Sequence, residues 1–153
     1  MQHTQNCVTR RGAAGFARLT LAGVLAMNVS CALTFLLRPQ DYAAGFELEG
    51  VAGSVAVQGF GLLFLMWNVT YPLVLMDPAR HRALFTVVLA QQALGVLGES
   101  WLWWSLPIGH PALWQTGLRF IVFDGLGLVA MGIAFLLLRP IRQPALGIDS
   151  PAG

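Results

Sequence analysis

Four apolar runs, Leu19 to Leu37, Val51 to Met76, Ala83 to Leu106 and Ala112 to Leu138, take up most of this chain. Each is long enough to carry a helix across a hydrocarbon core about 30 Å thick, which needs roughly 20 residues. Inside lipid every backbone polar group must find an internal partner, so only helices and closed barrels can span it. The runs show no sustained period-two alternation, which removes the barrel. The sequence therefore predicts an all-α polytopic membrane protein, an antiparallel bundle of four transmembrane helices at about 19–37, 51–76, 83–106 and 112–138. The expected domain covers 16–140, between an N-terminal tail at 1–15 and a C-terminal tail at 141–153 that both look poorly ordered.

Composition agrees with a lipid solvent. Charged residues make up 10% of the 153 and hydrophobic ones 56%, whereas soluble domains carry about a quarter charged residues. A secreted enzyme, a DNA-binding module and a disordered regulator are excluded. The basic residues are nine arginines and no lysine, dispersed in ones and twos instead of clustered, so no nucleic-acid partner is expected. Cys7 and Cys31 are too far apart for a dithiol motif, and Cys31 sits in an apolar run as a small buried residue would. The first run lacks a small-x-small exit and is followed by three more, so it reads as a retained helix and not a signal peptide.

Arginine placement sets the expected orientation. Arg10, Arg11 and Arg18, then Arg80 and Arg82, then Arg139 and Arg142 all fall at one end of the bundle. Arg38 stands at the other end with Asp41, Glu47 and Glu49. Both termini are expected on the cytoplasmic side of a bacterial inner membrane. Trp101, Trp103, Trp104 and Trp114 crowd the outer connection between the third and fourth helices, as an interfacial belt would. Trp67 falls mid-span, as a packing residue or a pocket wall. In the first outer loop, the alternation Phe46-Glu47-Leu48-Glu49 suggests a segment laying Phe46 and Leu48 on the bilayer.

Ionisable groups within a span are costly and are the default functional candidates. Three qualify: Glu99, Arg119 and Asp124. Counting at the helical rise, Glu99 lies about 25 Å from Arg82, Asp124 about 22 Å and Arg119 about 30 Å from Arg139, and Gln58 about 28 Å from Asp77. These four define an outer polar layer of ligand-binding candidates, with Trp103 as a flat wall beside it. Arg119 and Asp124 point roughly 140° apart. The expected arrangement is a Glu99 to Arg119 salt bridge with Asp124 turned to the first or second helix; a snorkelling Arg119 is the alternative. Such a pair serves equally well as a purely structural register device.

Asn28, Asn68 and Gln92 form a second layer about 13 to 15 Å deep, near mid-membrane, where amides commonly glue helices together. Gln92, Gly95, Glu99 and Trp103 share a stripe that marks the inward face of the third helix. Pro72 removes the hydrogen bond to the Asn68 carbonyl, which predicts a kink and a polar pocket near Tyr71 and Trp67. Gly53, Ala56, Gly59 and Gly61 on the second helix, and Gly125, Gly127 and Gly132 on the fourth, would allow close helix approach.

His3, His81 and His110 lie outside the spans, so no haem is expected within the bundle. No metal site is assigned, although Glu47, Glu49, His110 and Glu99 share the outer end. No phosphate-binding loop, zinc-protease motif or nucleophile elbow occurs, and no catalytic residue is assigned.

Four short-looped helices with cytoplasmic termini, a polar Glu99 and a glycine-dotted second helix resemble the DoxX-like group of small bacterial membrane proteins. The resemblance covers about residues 15–140 and is one of topology and size. It implies a link to quinone redox systems or to accessory membrane complexes. A thiol-redox role does not carry over, because this chain has no cysteine pair.

The expected function is an accessory subunit of a membrane complex, or a binder of a lipid- or quinone-type ligand headed toward the outer polar layer. The chain could also act as a homo-oligomer. A small oligomeric proton-coupled transporter using Glu99 or Asp124 is the alternative, and a membrane-embedded isomerase or oxidoreductase a further one.

Overall fold

Hydrophobic periodicity and helix breaks together place every element of the fold. The computed structural model describes the backbone of residues 2–138 and the side chains of residues 12–138. Helix α1 (Gln2–Leu37) leads into a short α2 (Gln40–Ala43) and one 3-10 turn (Ala44–Phe46). Then come α3 (Gly50–Trp67), a second 3-10 turn (Asn68–Thr70), α4 (Tyr71–Met76), α5 (Arg82–Trp104) and α6 (Pro111–Leu137). No strand occurs among the described residues. Four segments are long and apolar enough to cross a membrane: Gly12–Leu37, Gly50–Met76, Arg82–Trp104 and Pro111–Leu137. Their outward faces carry side chains such as Leu19, Val51, Leu97 and Leu136, all exposed. In water so much bare apolar surface would drive association, whereas in lipid it meets its own kind.

Each span turns a heptad-like stripe inward, and the stripes build two apolar clusters. Near the chain termini, Ala17, Leu21 and Val24 of α1 pack with Tyr71 and Val74 of α4, Phe85 and Val88 of α5, and Met131 and Ala134 of α6. At the distal end, Phe35, Ala43 and Val57 pack with Cys31, Phe46, Leu48, Phe64 and Phe120. Helix α1 contacts α3, α4 and α6, and α5 lies along α6. The second and third spans meet where α4 packs on α5 and where Thr70 of the second 3-10 turn donates to Gln91 Oε1 at 3.1 Å; α3 itself comes close to α5 at its end, where Trp67 stands by Gly95. The bundle is therefore closed toward the termini and splayed between α3 and α5 at its distal end.

Glycine sets the closest approach. At Gly61 a Cβ would lie 2.7 Å from the Ala32 carbonyl oxygen, so only glycine lets α3 come this near to α1. Gly127 plays a milder part, a Cβ there meeting Val24 at 3.2 Å. Gly59, Gly125 and Gly132 face open space, so the expectation of tight packing at all these glycines holds for only part of them.

Three expectations change. The N-terminal segment continues α1 back to Gln2 where a loose tail was expected; no proline or glycine interrupts residues 2–11, and a helix already nucleated propagates readily through such residues. The C-terminal tail, with Arg139 and Arg142, lies outside the described residues, as do the side chains of Arg10 and Arg11. At Pro72, the Asn68 carbonyl is not left free. The chain tightens into a 3-10 turn, and the Tyr71 N–H donates to that carbonyl, which is how a short 3-10 stretch repairs a proline break. Finally, Phe46 and Leu48 do not lie on the bilayer. Glu47 adopts a left-handed conformation, φ 54° and ψ 36°, which reverses the chain so that Phe46 and Leu48 pack inward on the distal cluster.

The connections are tied down by hydrogen bonds. Arg18 donates to the Met76 carbonyl at 2.9 Å, and Arg82 donates to the Leu138 carbonyl while lying 4.1 Å from the Phe135 ring centre. A cation at the end of α6 satisfies carbonyls that the helix leaves unpaired. At the distal end, Thr116 donates to the Gly45 carbonyl at 2.7 Å. His110 Nδ1 lies 2.5 Å from Glu47 Oε2, and Glu47 Oε1 reaches the Leu113 N–H in the first turn of α6. The His110 hydrogen bond, more than any other influence, holds the Glu47 carboxyl below its ordinary value.

Candidate functional site

A polar chain crosses the bundle between the two apolar clusters. On α5, Gln92, Gly95 and Glu99 recur at three- and four-residue intervals on the inward face, and on α6 Phe120, Asp124 and Gly127 do the same. The Tyr71 hydroxyl donates to Gln92 Oε1 at 2.9 Å. Gln92 Nε2 donates to Asp124 Oδ1 at 2.8 Å and to the Asp124 carbonyl at 3.3 Å. These partners fix the amide's orientation, oxygen toward the phenol and nitrogen toward the carboxyl. Gly95 faces this network: a Cβ there would stand in ordinary contact, 3.5 Å from Asp124 Oδ2 and 3.9 Å from the Trp67 ring.

The Asp124 carboxyl is in hydrogen-bonding reach of Glu99. Two carboxyl groups can bond to each other only through a proton carried by one of them, so a bridged pair holds at most one negative charge. Glu99 Oε2 is buried and receives no hydrogen bond from any donor among the described residues. An unpaired buried oxygen costs about 1–3 kcal/mol, more if charged, and such an atom is where a ligand or a shared proton does most.

Above this chain, where α3 and α5 diverge, lies a cavity of about 500 Å³. Phe35 of α1 forms its back, Phe60, Leu63 and Phe64 of α3 one wall, and Glu99, Leu102 and Trp103 of α5 the other. Leu113, Thr116, Gly117 and Phe120 of α6 complete it, with Phe46, Ser105 and Leu106 toward the distal loops. Five phenylalanine rings cluster here, Phe60 standing 5.2 Å from Phe46. Phe35 stands 5.7 Å from Phe46, 5.9 Å from Phe64 and 6.4 Å from Phe120, and Phe46 stacks on Phe120 at 6.3 Å. Leu63 and Leu102, on facing walls, are 59% and 58% exposed, so the mouth opens sideways, toward lipid. Its volume falls in the range of small-molecule pockets, about 300–1,000 Å³.

The chain matches no family model, no curated protein and no solved structure.

Of the candidates read from sequence, the structure brings together Glu99, Asp124 and Gln92 in one hydrogen-bonded network and places Trp103 in the cavity wall. The Trp103 ring packs on Trp114 with centres 4.9 Å apart and planes tilted by 40°, and donates its N–H to the Trp114 carbonyl at 3.1 Å. Trp101 and Trp104 are exposed, as an interfacial belt requires.

Two candidates lie elsewhere. Arg119 is exposed, and no salt bridge joins it to Glu99 among the described residues. The rotation of α6 explains this: Gly117, Phe120, Asp124, Gly127, Met131 and Ala134 form its inward stripe, and that stripe brings Asp124 to Glu99 while turning Arg119 away. Gln58 is also exposed, and its Nε2 donates to the Leu36 carbonyl at 3.2 Å, tying α3 to α1 instead of joining Glu99.

The expected mid-membrane amide layer separates into two units. Asn28 Nδ2 donates to Asn68 Oδ1 at 3.2 Å, and Asn68 Nδ2 to the Phe64 carbonyl at 2.8 Å, while Gln92 belongs to the acid network. Asn68 thus glues α1 to the second span. Trp67 packs below the cavity against Gly95. No group of three metal-ligating side chains gathers among the described residues.

Sequence reasoning did not single out the phenylalanines at 35, 60, 64 and 120; it placed Phe46 on the bilayer instead of in a cavity wall, and set Tyr71 beside Pro72 without its bond to Gln92. The signal was available, since Phe35, Phe64 and Phe120 fall on inward stripes at the distal level of their helices. An aromatic stripe in a membrane span ordinarily reports packing alone.

Proposed function

We propose that this chain is a multi-pass protein of the cytoplasmic membrane that holds an amphipathic, lipid-like molecule in its distal cavity. The observation that carries the reading is an aromatic cavity open to the bilayer with one buried, unpaired carboxyl oxygen at Glu99. Sites of this kind combine a mainly apolar wall with a few polar groups that orient the ligand. Burial of an apolar body between Phe60, Phe64, Phe120 and Trp103 supplies affinity, and Glu99 selects the polar head. The arginines at the terminal end of the bundle support cytoplasmic termini, which puts the cavity in the outer leaflet. The DoxX-like reading rests on the four-span plan.

The test is mass spectrometry of amphiphiles copurified with the detergent-extracted protein. One species enriched over the bulk lipid extract, and depleted at least severalfold in Glu99→Gln, is the expected result. Identical lipid profiles in both proteins would refute the reading.

A second reading, proton-coupled transport, draws on the contact between Glu99 and Asp124 and on the Gln92 and Tyr71 bonds that continue it. Its test is proton flux in proteoliposomes, which must vanish when both acids are neutralised.

A further inference from the structure

The hydrogen-bond inventory of the cavity restricts what its occupant can be. Four polar side chains line it: Glu99, Trp103, Ser105 and Thr116. Three of them have already committed their protons to backbone carbonyls. Trp103 donates to Trp114, Ser105 to Trp101 and Leu102, and Thr116 to Gly45. Behind Glu99, Gln92 donates to Asp124 and Tyr71 donates to Gln92. A proton shared between Glu99 and Asp124, which lie within hydrogen-bonding reach, would be committed in the same way. The wall therefore offers a ligand no free donor, and the polar group still lacking a partner is the Glu99 carboxyl, whose buried Oε2 lies at the wall and accepts from a head group once that side chain turns toward it.

A head group made only of acceptors, such as a quinone carbonyl or an ester, would leave Glu99 unpaired and gain no hydrogen bond. A cationic head finds two complements. One is the acid pair, which no described arginine neutralises. The other is the set of aromatic faces at Phe35, Phe46, Phe64, Phe120 and Trp103, whose π clouds attract cations and form the cages that recognise alkylated ammonium groups.

We infer that the cavity selects a lipophilic organic cation, its ammonium head set between the aromatic faces and Glu99 and its apolar body running out between Leu63 and Leu102 toward the bilayer. This inference rests on the amphiphile-binding reading and narrows it to one ligand class.

The test uses the full chain in dodecyl maltoside, a micelle without charge, and two fluorescent probes of one shape. Both are diphenylhexatrienes, one with a trimethylammonium head and the other with a neutral methyl ester in its place. Equilibrium dialysis, with protein-free micelles subtracted, reads the bound fraction. The cationic probe is expected to bind saturably, at least tenfold more tightly than the ester. Glu99→Gln should weaken the cation at least tenfold and leave the ester unchanged. Should Glu99→Gln fail to yield a monodisperse helical protein, Trp103→Leu replaces it, with an expected loss of about three- to tenfold for the cation alone. Arg119→Gln, an exposed position outside the cavity lining, should bind as the unaltered protein does. Equal binding of both probes, or insensitivity of the cation to these cavity substitutions, would overturn the cation inference while sparing the amphiphile reading. Absence of saturable binding by either probe would overturn both.

Discussion

Replacing Gly61 with alanine tests the packing that builds the cavity's back wall. A Cβ at this position would lie 2.7 Å from the Ala32 carbonyl oxygen, 3.0 Å from Leu36 Cγ and 3.1 Å from Phe35 Cβ. A comfortable contact is about 3.5 Å, so α1 and α3 must separate by roughly 0.8 Å at this point. The nearest atom is backbone in the middle of a helix, and no side-chain rotation relieves it. Overpacking of this kind costs about 1–3 kcal/mol. Gly59→Ala is the matched control: it lies on the same helix and meets nothing within 4 Å. There alanine should be neutral or stabilising by up to about 1 kcal/mol, because glycine is the poorer helix former. Reversible unfolding in mixed micelles, followed by far-UV circular dichroism, measures both. Gly61→Ala as stable as Gly59→Ala would show that α1 and α3 do not approach as described. Because Phe35 follows Ala32 by one helical turn, the clash should also displace an aromatic wall of the cavity and weaken ligand binding.

Other outcomes follow from the polar groups. Gln92→Leu removes the amide between Tyr71 and Asp124 and leaves the buried Tyr71 hydroxyl and the half-buried Asp124 carboxyl without that partner, at about 1–3 kcal/mol for the buried group; unfolding in mixed micelles should show a loss, and unchanged stability would contradict the network. Glu47 titrates below its ordinary value because of its bond to His110. A carboxyl lowered by folding adds stability above its unfolded pKa and loses it as pH falls through the folded one. The distal loop should therefore be clamped at neutral pH and released as the pH falls through the lowered Glu47 pKa. Hydrogen-exchange protection across residues 43–48, corrected for intrinsic rates, should fall in acid, and Glu47→Gln should lower it already at neutral pH. Protection that stays constant with pH would refute the clamp.

The spans were legible because length and hydropathy decide them: each observed span starts or ends close to where the apolar run does, apart from α1, whose helix outruns its hydrophobic stretch. The inward face of α5 was equally legible, since Gln92, Gly95, Glu99 and Trp103 fall on one stripe. Which residue Glu99 would meet was not. Opposite charge favoured Arg119, but the rotation of α6 follows its Gly117–Phe120–Asp124–Gly127–Met131 stripe, and packing over a whole helix outweighs one ion pair whose desolvation consumes much of its attraction. Phe46 turned inward for a similar reason: a single left-handed residue at Glu47 redirects the chain, and alternation in a short loop does not reveal it. The cavity arises from divergence of α3 from α5, a property of helix arrangement that no single helix encodes.

Photocrosslinking from the bilayer tests the central claim most directly. The protein is reconstituted into nanodiscs containing a trace of phospholipid with a diazirine on its acyl chain, illuminated, and mapped by peptide mass spectrometry. If the distal cavity opens to lipid and admits an apolar chain, adducts concentrate on Phe60, Leu63, Leu102, Trp103 and Phe120, and a saturating cationic amphiphile suppresses them there without affecting the outward residues Leu19 and Leu136. Adducts spread evenly over the exposed faces, with none on Phe120 and no protection by the amphiphile, would contradict the account.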